Sequence, residues 1–316
     1  MDLNFDAALA FIEQGERFLL TTHINSDADG ICANMALKRL LEQLGKEACI
    51  GLPDAPAGQC EFLAGWSDVQ HIEDFADQEF THAIVTDSPS IDRIGGAQKY
   101  LEGLPILAMD HHKSDATFGQ VNLVSPKVSS TCEMVYHLAQ AGGWSLDNEA
   151  AAALYTGIIF DTGGFRFSLT TPTTFEAAAA LTRLDIQLDR LADEVFSNKS
   201  YGSVKQLGVA IDSLALYYDE RAAVLHLDAE AMRAGDPDEV VNYGLLIKGV
   251  QVAVLLKEQE GGPYRVSLRS RESVDVNAIA GAFDGGGHAR AAGCRMEGSR
   301  EDVTQKLLAE IGRHLS

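Results

Sequence analysis

The sequence predicts an α/β protein, with a mainly parallel sheet flanked by helices in its N-terminal part and a smaller α+β domain at its C-terminus. Short apolar runs alternate with helical stretches over the first half of the chain, which is typical of βαβ units and a parallel sheet. Beyond about residue 218 the pattern changes to strands joined by turns. At 316 residues, the chain is long enough for two domains of ordinary size.

The N-terminal elements follow from the apolar pattern. Each predicted strand is a short apolar run, and each predicted helix has apolar residues at helical spacing. The segment 52–78 contains prolines and glycines and is expected to be loop and short helix. The predicted strands are residues 17–22, 47–51, 81–86 and 104–109, and the predicted helices are residues 6–15, 31–41, 129–141 and 148–159.

The C-terminal part begins after a helical stretch predicted over residues 172–216. Pro172 is a suitable first residue for it, because proline is favoured in the first turn of a helix. The predicted domains are residues 1–190 and 219–316, joined by a helical linker over residues 191–218. In the second domain we predict strands at 221–227, 249–258 and 263–271, a hairpin turn at 260–263, and helices at 236–246 and 275–283.

The composition restricts the possible partners and compartment. Lys and Arg number 25 against 46 Asp and Glu, a net charge of −21, which argues against binding to long duplex nucleic acid. A small phosphorylated substrate stays compatible with this charge, because bound divalent ions change the local field. The five cysteines are scattered and form no C-x-x-C pair, which argues against a disulfide framework or a structural zinc. With no signal-peptide pattern and no bilayer-length apolar run, we expect a cytoplasmic protein without a membrane partner.

One imidazole and two carboxylates lie in the first predicted strand-to-helix loop. His23, Asp27 and Asp29 fall within seven positions, at the place where ligands bind in open α/β sheets. Imidazole with oxygen ligands suits Mg, Mn or a borderline metal rather than a thiolate site. In the alternative interpretation, one carboxylate caps the helix and His23 is an ordinary loop residue. This stretch alone does not decide between them.

Two further predicted strands end in similar groups. Asp87 follows the strand 81–86, and Asp110, His111 and His112 follow the strand 104–109. Because the carboxyl ends of parallel strands lie at one edge of a sheet, these groups can converge with the first cluster. Acids or histidines at the carboxyl ends of three predicted strands favour a metal centre over ordinary solvent-exposed loops.

A further acid, Asp161, follows the predicted helix 148–159. Gly163 and Gly164 come directly after it and allow tight backbone geometry. On its own, Asp161 would be interpreted as the first residue of a turn. Beside an acid-lined metal edge that needs another ligand, a ligand role is favoured.

A glycine run at residues 285–287 marks the second domain. Successive glycines let backbone N–H groups approach a ligand closely, as phosphate-binding loops do. Basic side chains nearby could donate to phosphate. The alternative is a tight turn between helix and strand, with the arginines on a solvated strand face. The basic residues concerned are Arg269, Arg271, His288 and Arg290.

Taken together and in this order, the motifs resemble those of the DHH phosphoesterase superfamily. Residues 267–270 and 285–293 resemble its DHH-associated C-terminal domain, so the resemblance covers nearly the whole chain. Two departures are Ser26, where proline is more common, and Thr162, where serine is common; neither replaces a predicted ligand. The N-terminal motifs are His23-x-x-x-Asp27-x-Asp29-Gly30, Asp87, Asp110-His111-His112 and Asp161-Thr162-Gly163-Gly164-Phe165.

The resemblance implies two Mn²⁺ ions, or similar ions such as Mg²⁺ or Co²⁺, and an active site in the cleft between the domains. Asp110 would orient a histidine ligand or be a ligand itself, and His112 would donate to a phosphate oxygen or protonate the leaving group. The implied metal ligands are His23 and Asp27 for one ion, Asp29, His111 and Asp161 for the other, and Asp87 bridging both. The implied substrate-binding residues are Arg269, Gly286, Gly287, His288 and Arg290.

The length of the chain is most similar to that of proteins of the NrnA-like branch. This branch includes oligoribonucleases for very short RNA, pAp phosphatases and dinucleotide phosphodiesterases. We therefore expect a Mn²⁺-dependent phosphoesterase acting on short oligoribonucleotides and linear dinucleotides such as pGpG and pApA, with pAp as a further substrate. The alternatives are a cyclic di-AMP phosphodiesterase, a pyrophosphatase or short-chain polyphosphatase, and a nucleotide-binding regulatory protein. The six predicted metal ligands argue against the last of these. The resemblance also suggests a homodimer.

Overall fold

The structure is a computed structural model. It describes residues 3–56, 58–112, 117–235, 237–271 and 274–315, without the side chains of Gln59, Asp238 and His288. The chain divides into two compact units, residues 1–198 and residues 199–316. Among the described residues, none of the helices is long and apolar enough to cross a membrane.

A six-stranded sheet, in which all neighbouring strands are parallel, forms the centre of the first unit. This confirms the predicted α/β class. Across the sheet, the strand order is β3-β2-β1-β4-β5-β6, so the carboxyl ends of β1, β4 and β5 are adjacent at one edge. The strands are β1 (Arg17–Thr21), β2 (Glu47–Leu52), β3 (Val69–His71), β4 (His82–Thr86), β5 (Ile106–Asp110) and β6 (Val121–Val124).

Both faces of this sheet are buried. On β1, Phe18 and Leu20 face the main core, whereas Leu19 packs on the opposite side with Ala83 and Val85. Strands buried on both faces have nearly continuous apolar sequences, which is why the central strands could be predicted. The helices of this unit are α1 (Phe5–Gln14), α2 (Ala28–Gln43), α3 (Thr131–Gly142), α4 (Asn148–Asp161), α5 (Pro172–Leu181) and α6 (Leu188–Phe196).

The second unit contains another six-stranded sheet, with strand order β11-β12-β10-β9-β8-β7. Only the β8–β9 pair is parallel among the strand pairs described. Helices α9 and α10 pack on one face, and α7 and α8 cover the β8–β9 part of the other face. The elements are α7 (Tyr201–Asp212), β7 (Ala215–Tyr217), β8 (Ala222–Leu227), α8 (Val241–Leu245), β9 (Val252–Lys257), β10 (Tyr264–Ser270), α9 (Val276–Gly281), β11 (Gly286–His288), β12 (Ala291–Met296) and α10 (Arg300–His314).

Several elements differ from the sequence predictions. The strands β3, β6, β7, β11 and β12 and the helix α10 were not predicted. Four of these strands are short and lie at the edge of a sheet, where few residues are buried and the apolar pattern is weak, whereas β12 lies inside the second sheet. The stretch predicted as helical up to residue 216 consists of α5, α6 and α7, and it ends in β7. A helix is predicted over residues 236–246, of which residue 236 lies outside the described residues. The rest of this stretch contains a 3₁₀ turn (Asp238–Val240) followed by α8.

Candidate functional site

His23 lies in the loop between β1 and α2, with its ring held by the backbone. The Nδ1 atom is 2.8 Å from the carbonyl oxygen of Ile24, a contact in which Nδ1 can only be the donor. The Nε2 atom therefore faces the site, 3.4 Å from Asp87 Oδ2 and 3.9 Å from Asp27 Oδ2. A hydrogen bond of this kind fixes the tautomer of a metal-binding histidine.

Asp27 both caps α2 and belongs to the cluster. Its Oδ1 accepts hydrogen bonds from the N–H groups of Asp29 and Gly30, at 3.1 and 3.3 Å. Its Oδ2 faces His23. The two interpretations of this stretch are therefore compatible, because one carboxylate has two oxygens.

Asp29 is completely buried in the first turn of α2 and is bound by the start of another helix. Its Oδ2 accepts from the N–H of Thr131 at 2.6 Å, and its Oδ1 accepts from the N–H of Cys132 at 2.9 Å. These groups form the N-terminus of α3, where the helix dipole stabilises negative charge. Asp29 Oδ2 also lies 3.9 Å from His111 Nε2.

Asp87 occupies the centre of the cluster. It follows β4 with a left-handed backbone, φ +53°, which is a strained conformation for a residue other than glycine. Its Oδ2 faces His23, and its Oδ1 lies 3.5 Å from both His111 Nε2 and His112 Nδ1. The hydroxyl of Thr131 donates to the same Oδ1 at 3.3 Å. Asp87 is therefore the carboxylate that faces all three histidines.

Asp110 ends β5 and holds His112. Its Oδ1 accepts from the backbone N–H of His112 at 3.2 Å and lies 2.8 Å from the ring Nδ1. The expectation was that Asp110 would orient a histidine ligand or be a ligand itself. The histidine that Asp110 contacts is His112, for which a substrate-facing role is predicted.

Asp161 is the last residue of α4, and its Oδ2 lies 3.1 Å from His111 Nε2. The turn predicted after it is also present, since Gly163 and Gly164 have φ values of +58° and +68°. Thr162 supports this turn, because its hydroxyl donates to the carbonyl of Ile158 and accepts from a later N–H. The acid thus belongs to the cluster as well as starting the turn.

These residues form three groups in which the ligand atoms lie within 4.8 Å of one another. All six predicted metal ligands, together with His112, are included. Asp87 belongs to two groups and His111 to two. The groups are His23, Asp27 and Asp87; Asp29, His111 and Asp161; and Asp87, His111 and His112.

The carboxylates have the electrostatics of a cation site. Burial and the neighbouring charge of Asp27 raise the pKa values of Asp29 and Asp87 to about 6. Burial, with the charges of Asp29 and Asp87, raises the pKa of Asp161 well above its usual value. Asp110 Oδ2 is buried without a hydrogen-bond partner among the described residues, and the 3.1 Å contact of Asp161 Oδ2 with His111 Nε2 lacks the geometry of a hydrogen bond. A divalent cation would offset the repulsion between these neighbouring carboxylates. The nitrogen and oxygen donors of the cluster suit Mg²⁺, Mn²⁺ or Co²⁺.

The three histidines differ in their electrostatic environments. Burial alone would lower the pKa of His23, but hydrogen bonds and charges from Asp27 and Asp87 raise it to about 10. Burial also opposes the charged form of His112, yet its hydrogen bond to Asp110 raises its pKa. Burial lowers the pKa of His111, which favours the neutral form that binds metals.

In the second unit, a cavity of about 680 Å³ lies on the sheet and is lined by two of the predicted substrate-binding residues, Arg269 and Gly286. Gly287 belongs to β11 beside it, and Arg290 donates instead to the carbonyl of Val274 at 2.6 Å. The side chain of His288 lies outside the described part of the structure.

The glycine run is not an open loop. Residues 286–288 form β11, which pairs with β12. A Cβ atom on Gly285 would lie 2.3 Å from the carbonyl oxygen of Gly293, and one on Gly287 would lie 2.5 Å from that of Ala291. Close approach of two strands therefore explains these two glycines. The expected loop that surrounds a ligand with its backbone is not observed.

Thr131 was missed by the sequence analysis, although it contacts two acids of the cluster. A signal was present, because Ser130 and Glu133 have the spacing of a capping box and mark the start of a helix. Ser130 does accept a hydrogen bond from the Glu133 N–H at 3.0 Å. The pattern could not, however, reveal that this helix start faces Asp29.

Comparisons with known proteins cover both units. Residues 17–158 match the DHH family, N-terminal domain, and residues 205–316 match the DHHA1 domain. The bifunctional oligoribonuclease and PAP phosphatase NrnA of Thermus thermophilus is 31% identical over 297 residues, which cover 93% of this chain and 88% of the relative. The protein of the same name from Bacillus subtilis is 27% identical over 303 residues, covering 94% of each chain.

A solved structure has the same fold. The crystal structure of an exopolyphosphatase-related protein from Bacteroides fragilis aligns with a TM-score of 0.93 at 24% sequence identity. The alignment covers 98% of this chain and 95% of that protein. At this level of identity, the likeness concerns the fold alone.

Proposed function

The chain belongs to the DHH family of metal-dependent phosphoesterases, and we propose that it hydrolyses short oligoribonucleotides and linear dinucleotides to mononucleotides, and pAp to AMP. The observation that carries this proposal is the position of Asp87, which faces His23 on one side and His111 and His112 on the other. A carboxylate that belongs to two ligand groups could hold two metal ions close together, as two-metal phosphoesterase chemistry needs. The relatives named oligoribonuclease and PAP phosphatase support this choice of substrates.

The residues of the cluster would divide between two Mn²⁺ ions. In this proposal, two ligands belong to the first ion, three belong to the second, and Asp87 belongs to both. When bound, the ions supply a water of lowered pKa and positive charge opposite the phosphoryl oxygens. The proposed ligands are His23 and Asp27 for the first ion and Asp29, His111 and Asp161 for the second.

His112 is the proposed proton donor. Asp110 holds its ring through Nδ1 and raises its pKa, so that the protonated form persists to higher pH than in a free imidazole. A protonated imidazole can donate a hydrogen bond to a phosphoryl oxygen or a proton to the leaving oxygen. Asp110 is then a positioning residue, because it acts through the histidine.

The second unit would bind the nucleotide. Arg269 lines the large cavity, and its guanidinium is suited to a phosphate group by its planar set of donors. The net charge of −21 over the chain disfavours long nucleic acids, which need extended basic surfaces. A short substrate requires only local positive charge, so we propose short RNA and dinucleotides in the cytoplasm.

Turnover on a substrate panel tests this proposal. The panel contains pApA, pGpG, a pentanucleotide RNA, a long single-stranded RNA, pAp, cyclic di-AMP, pyrophosphate and a short polyphosphate, each assayed with Mn²⁺. The variant Asp87→Asn removes the shared carboxylate, and Asp92→Asn is the matched control, because Asp92 is an exposed acid five positions further along.

We expect rapid mononucleotide release from dinucleotides and the pentanucleotide, slow cleavage of the long RNA, and loss of activity in Asp87→Asn only. Preference for cyclic di-AMP, pyrophosphate or polyphosphate would replace the proposed substrate while keeping the metal centre. Activity that survives Asp87→Asn would contradict the two-metal assignment.

A further inference from the structure

The loop between β1 and α2 is held at two consecutive N–H groups by segments that lie far away in the sequence. The N–H of Ile24 donates to the carbonyl oxygen of Arg93 at 2.7 Å. The N–H of Asn25 donates to Oδ2 of Asp54 at 2.5 Å. Asp54 lies two residues after the end of β2 and 29 positions from Asn25, so this hydrogen bond joins the loops that follow two neighbouring strands.

Asn25 has a backbone conformation that needs support from its surroundings. Its φ of +55° lies in the left-handed region, which residues other than glycine adopt at a cost, although asparagine does so more readily than most. Such a conformation persists where neighbouring groups hold it in place. Asp54 provides a charged acceptor at this residue, and a hydrogen bond to a charged group is stronger than one between neutral groups.

The peptide bond between Ile24 and Asn25 connects Asp54 to the ring of His23. Its N–H is the group that donates to Asp54, and its carbonyl oxygen accepts from Nδ1 of His23 at 2.8 Å. Because a peptide is planar, a group that fixes its N–H also fixes the direction of its carbonyl. A continuous chain of hydrogen bonds therefore runs from the Asp54 carboxylate to the imidazole, and hydrogen bonds in such a chain strengthen one another.

Other contacts hold the loop without help from Asp54. The hydroxyl of Ser26 donates to the carbonyl of His23 at 2.8 Å. A Cβ atom on Gly95 would lie 2.6 Å from Cγ2 of Ile24, so this glycine allows the Ile24 side chain to pack closely against the backbone. Asp54 is exposed on the first unit. Removal of its carboxylate should therefore leave the fold intact and release the orientation of one peptide.

We propose that Asp54 is a positioning residue of the metal centre, which orients the ring of His23 through the peptide between Ile24 and Asn25. In a metal site, the ring nitrogen of histidine that does not bind the metal usually donates to a carboxylate or a backbone carbonyl, and this partner fixes the ring. Here the carbonyl is itself fixed by a carboxylate on the other side of the same peptide. The inference rests on the proposed role of His23 as a ligand of the first ion, and it adds a residue that belongs to none of the ligand groups.

The test measures Mn²⁺ binding by titration calorimetry in the full-length protein, in two backgrounds that each leave one ligand group complete. Asp161→Asn removes a ligand of the second ion. Asp27→Asn removes a ligand of the first ion, and asparagine at this position can still cap α2. In each background, Asp54→Ala removes the acceptor and Asp54→Asn keeps an oxygen acceptor without the charge. Asp77→Ala is the matched control, because Asp77 is an exposed acid of the first unit outside the ligand groups, and thermal melting checks that each variant is folded.

We expect Asp54→Ala to weaken Mn²⁺ binding about tenfold in the Asp161→Asn background, as is typical when the outer partner of a ligand is lost. In the Asp27→Asn background it should leave Mn²⁺ binding unchanged, because the remaining ion does not depend on His23. Asp54→Asn should restore most of the affinity, and Asp77→Ala should have no effect in either background. An equal loss in both backgrounds, or no loss in either, would overturn the proposal. A loss that Asp54→Asn does not restore would also overturn it, since Asp54 would then act through its charge.

Metal binding without turnover separates this inference from the proposed function. A selective loss of Mn²⁺ affinity in Asp54→Ala would support the positioning role even if the protein hydrolyses none of the proposed substrates, in which case the proposed function alone is wrong. Hydrolysis of short RNA together with unchanged Mn²⁺ binding in Asp54→Ala would keep the function and refute the role of Asp54. A protein that binds no Mn²⁺ before any substitution would refute both.

Discussion

The substitution Glu133→Gln should destabilise the first unit strongly, and in a pH-dependent way. The Glu133 side chain is completely buried in the first turn of α3. It accepts hydrogen bonds from the N–H of Ser129 at 3.1 Å and from the hydroxyls of Thr173 and Thr174 at 2.9 and 2.8 Å, and it lies 3.4 Å from His137 Nε2. Every one of these groups donates, so the charged carboxylate is the form that the site stabilises.

The size of the effect follows from the pKa of Glu133. Burial alone would raise this pKa, but the hydrogen bonds from His137, Ser129 and Thr174 lower it from 4.5 to about 2. A shift of this size corresponds to about 3 kcal/mol of folding free energy. Because the folded-state pKa is lowered, this stabilisation is present above pH 4.5 and is lost as the pH falls towards about 2. Glu133→Gln should therefore cost about 3 kcal/mol at neutral pH and progressively less in acid.

Urea unfolding followed by tryptophan fluorescence measures this change in the correct unit. Both tryptophans of the chain, Trp66 and Trp144, lie in the first unit, so the signal does not report on the second. Glu176→Gln is the control, because Glu176 is an exposed acid on α5. A loss below about 1 kcal/mol at neutral pH, or a loss of the same size in acid, would refute the reasoning.

Three further substitutions test the site. Asp87→Asn should raise the melting temperature of the metal-free protein, because it removes a buried carboxylate whose pKa is raised to about 6. The same substitution should abolish the rise in melting temperature that Mn²⁺ causes in the unsubstituted protein. Differential scanning calorimetry with and without EDTA measures both effects. Thr131→Val should weaken Mn²⁺ binding roughly tenfold in titration calorimetry, because Asp87 loses the hydrogen bond from the Thr131 hydroxyl. The backbone N–H of residue 131 still donates to Asp29 in this variant. Thr131→Ser keeps the hydroxyl and should restore Mn²⁺ binding. Asp110→Asn should lower kcat for pApA about a hundredfold and shift the alkaline limit of the pH–rate profile to lower pH, because the pKa of His112 falls; an unchanged limit would exclude His112 as the proton donor.

The centre of the fold could be predicted from the sequence because its signals are strong and local. The strands β1, β4 and β5 are buried on both faces, so each is a short apolar run, and each is followed by the acids or histidines of the site. A parallel sheet brings these ends to one edge without any further information. The edge strands β3, β6 and β7 lack this double burial, and their sequences do not distinguish them from loops.

The remaining features depend on pairings between distant residues. The register that places Arg265 between Lys257 and Arg295 is set by the whole second sheet, and nothing local in the sequence specifies it. The pairing of β11 with β12 also explains the glycines, because a Cβ atom on Gly285 or Gly287 would clash with backbone atoms of β12. Likewise, the contact of Asp29 with Thr131 joins residues that are 102 positions apart.

The contacts of Asp27 and Asp29 also explain how the fold tolerates so many buried acids at one edge of the sheet. Asp27 accepts from the first turn of α2, and Asp29 accepts from the first turn of α3, so two helix N-termini point towards the cluster. The start of α3 is in turn fixed by Ser130 and by Glu133. These partial positive charges lower the cost of ionised carboxylates before any cation binds. A change at Glu133 should therefore affect metal binding as well as stability, and Mn²⁺ titration of Glu133→Gln at neutral pH should show weaker binding although Glu133 belongs to none of the ligand groups.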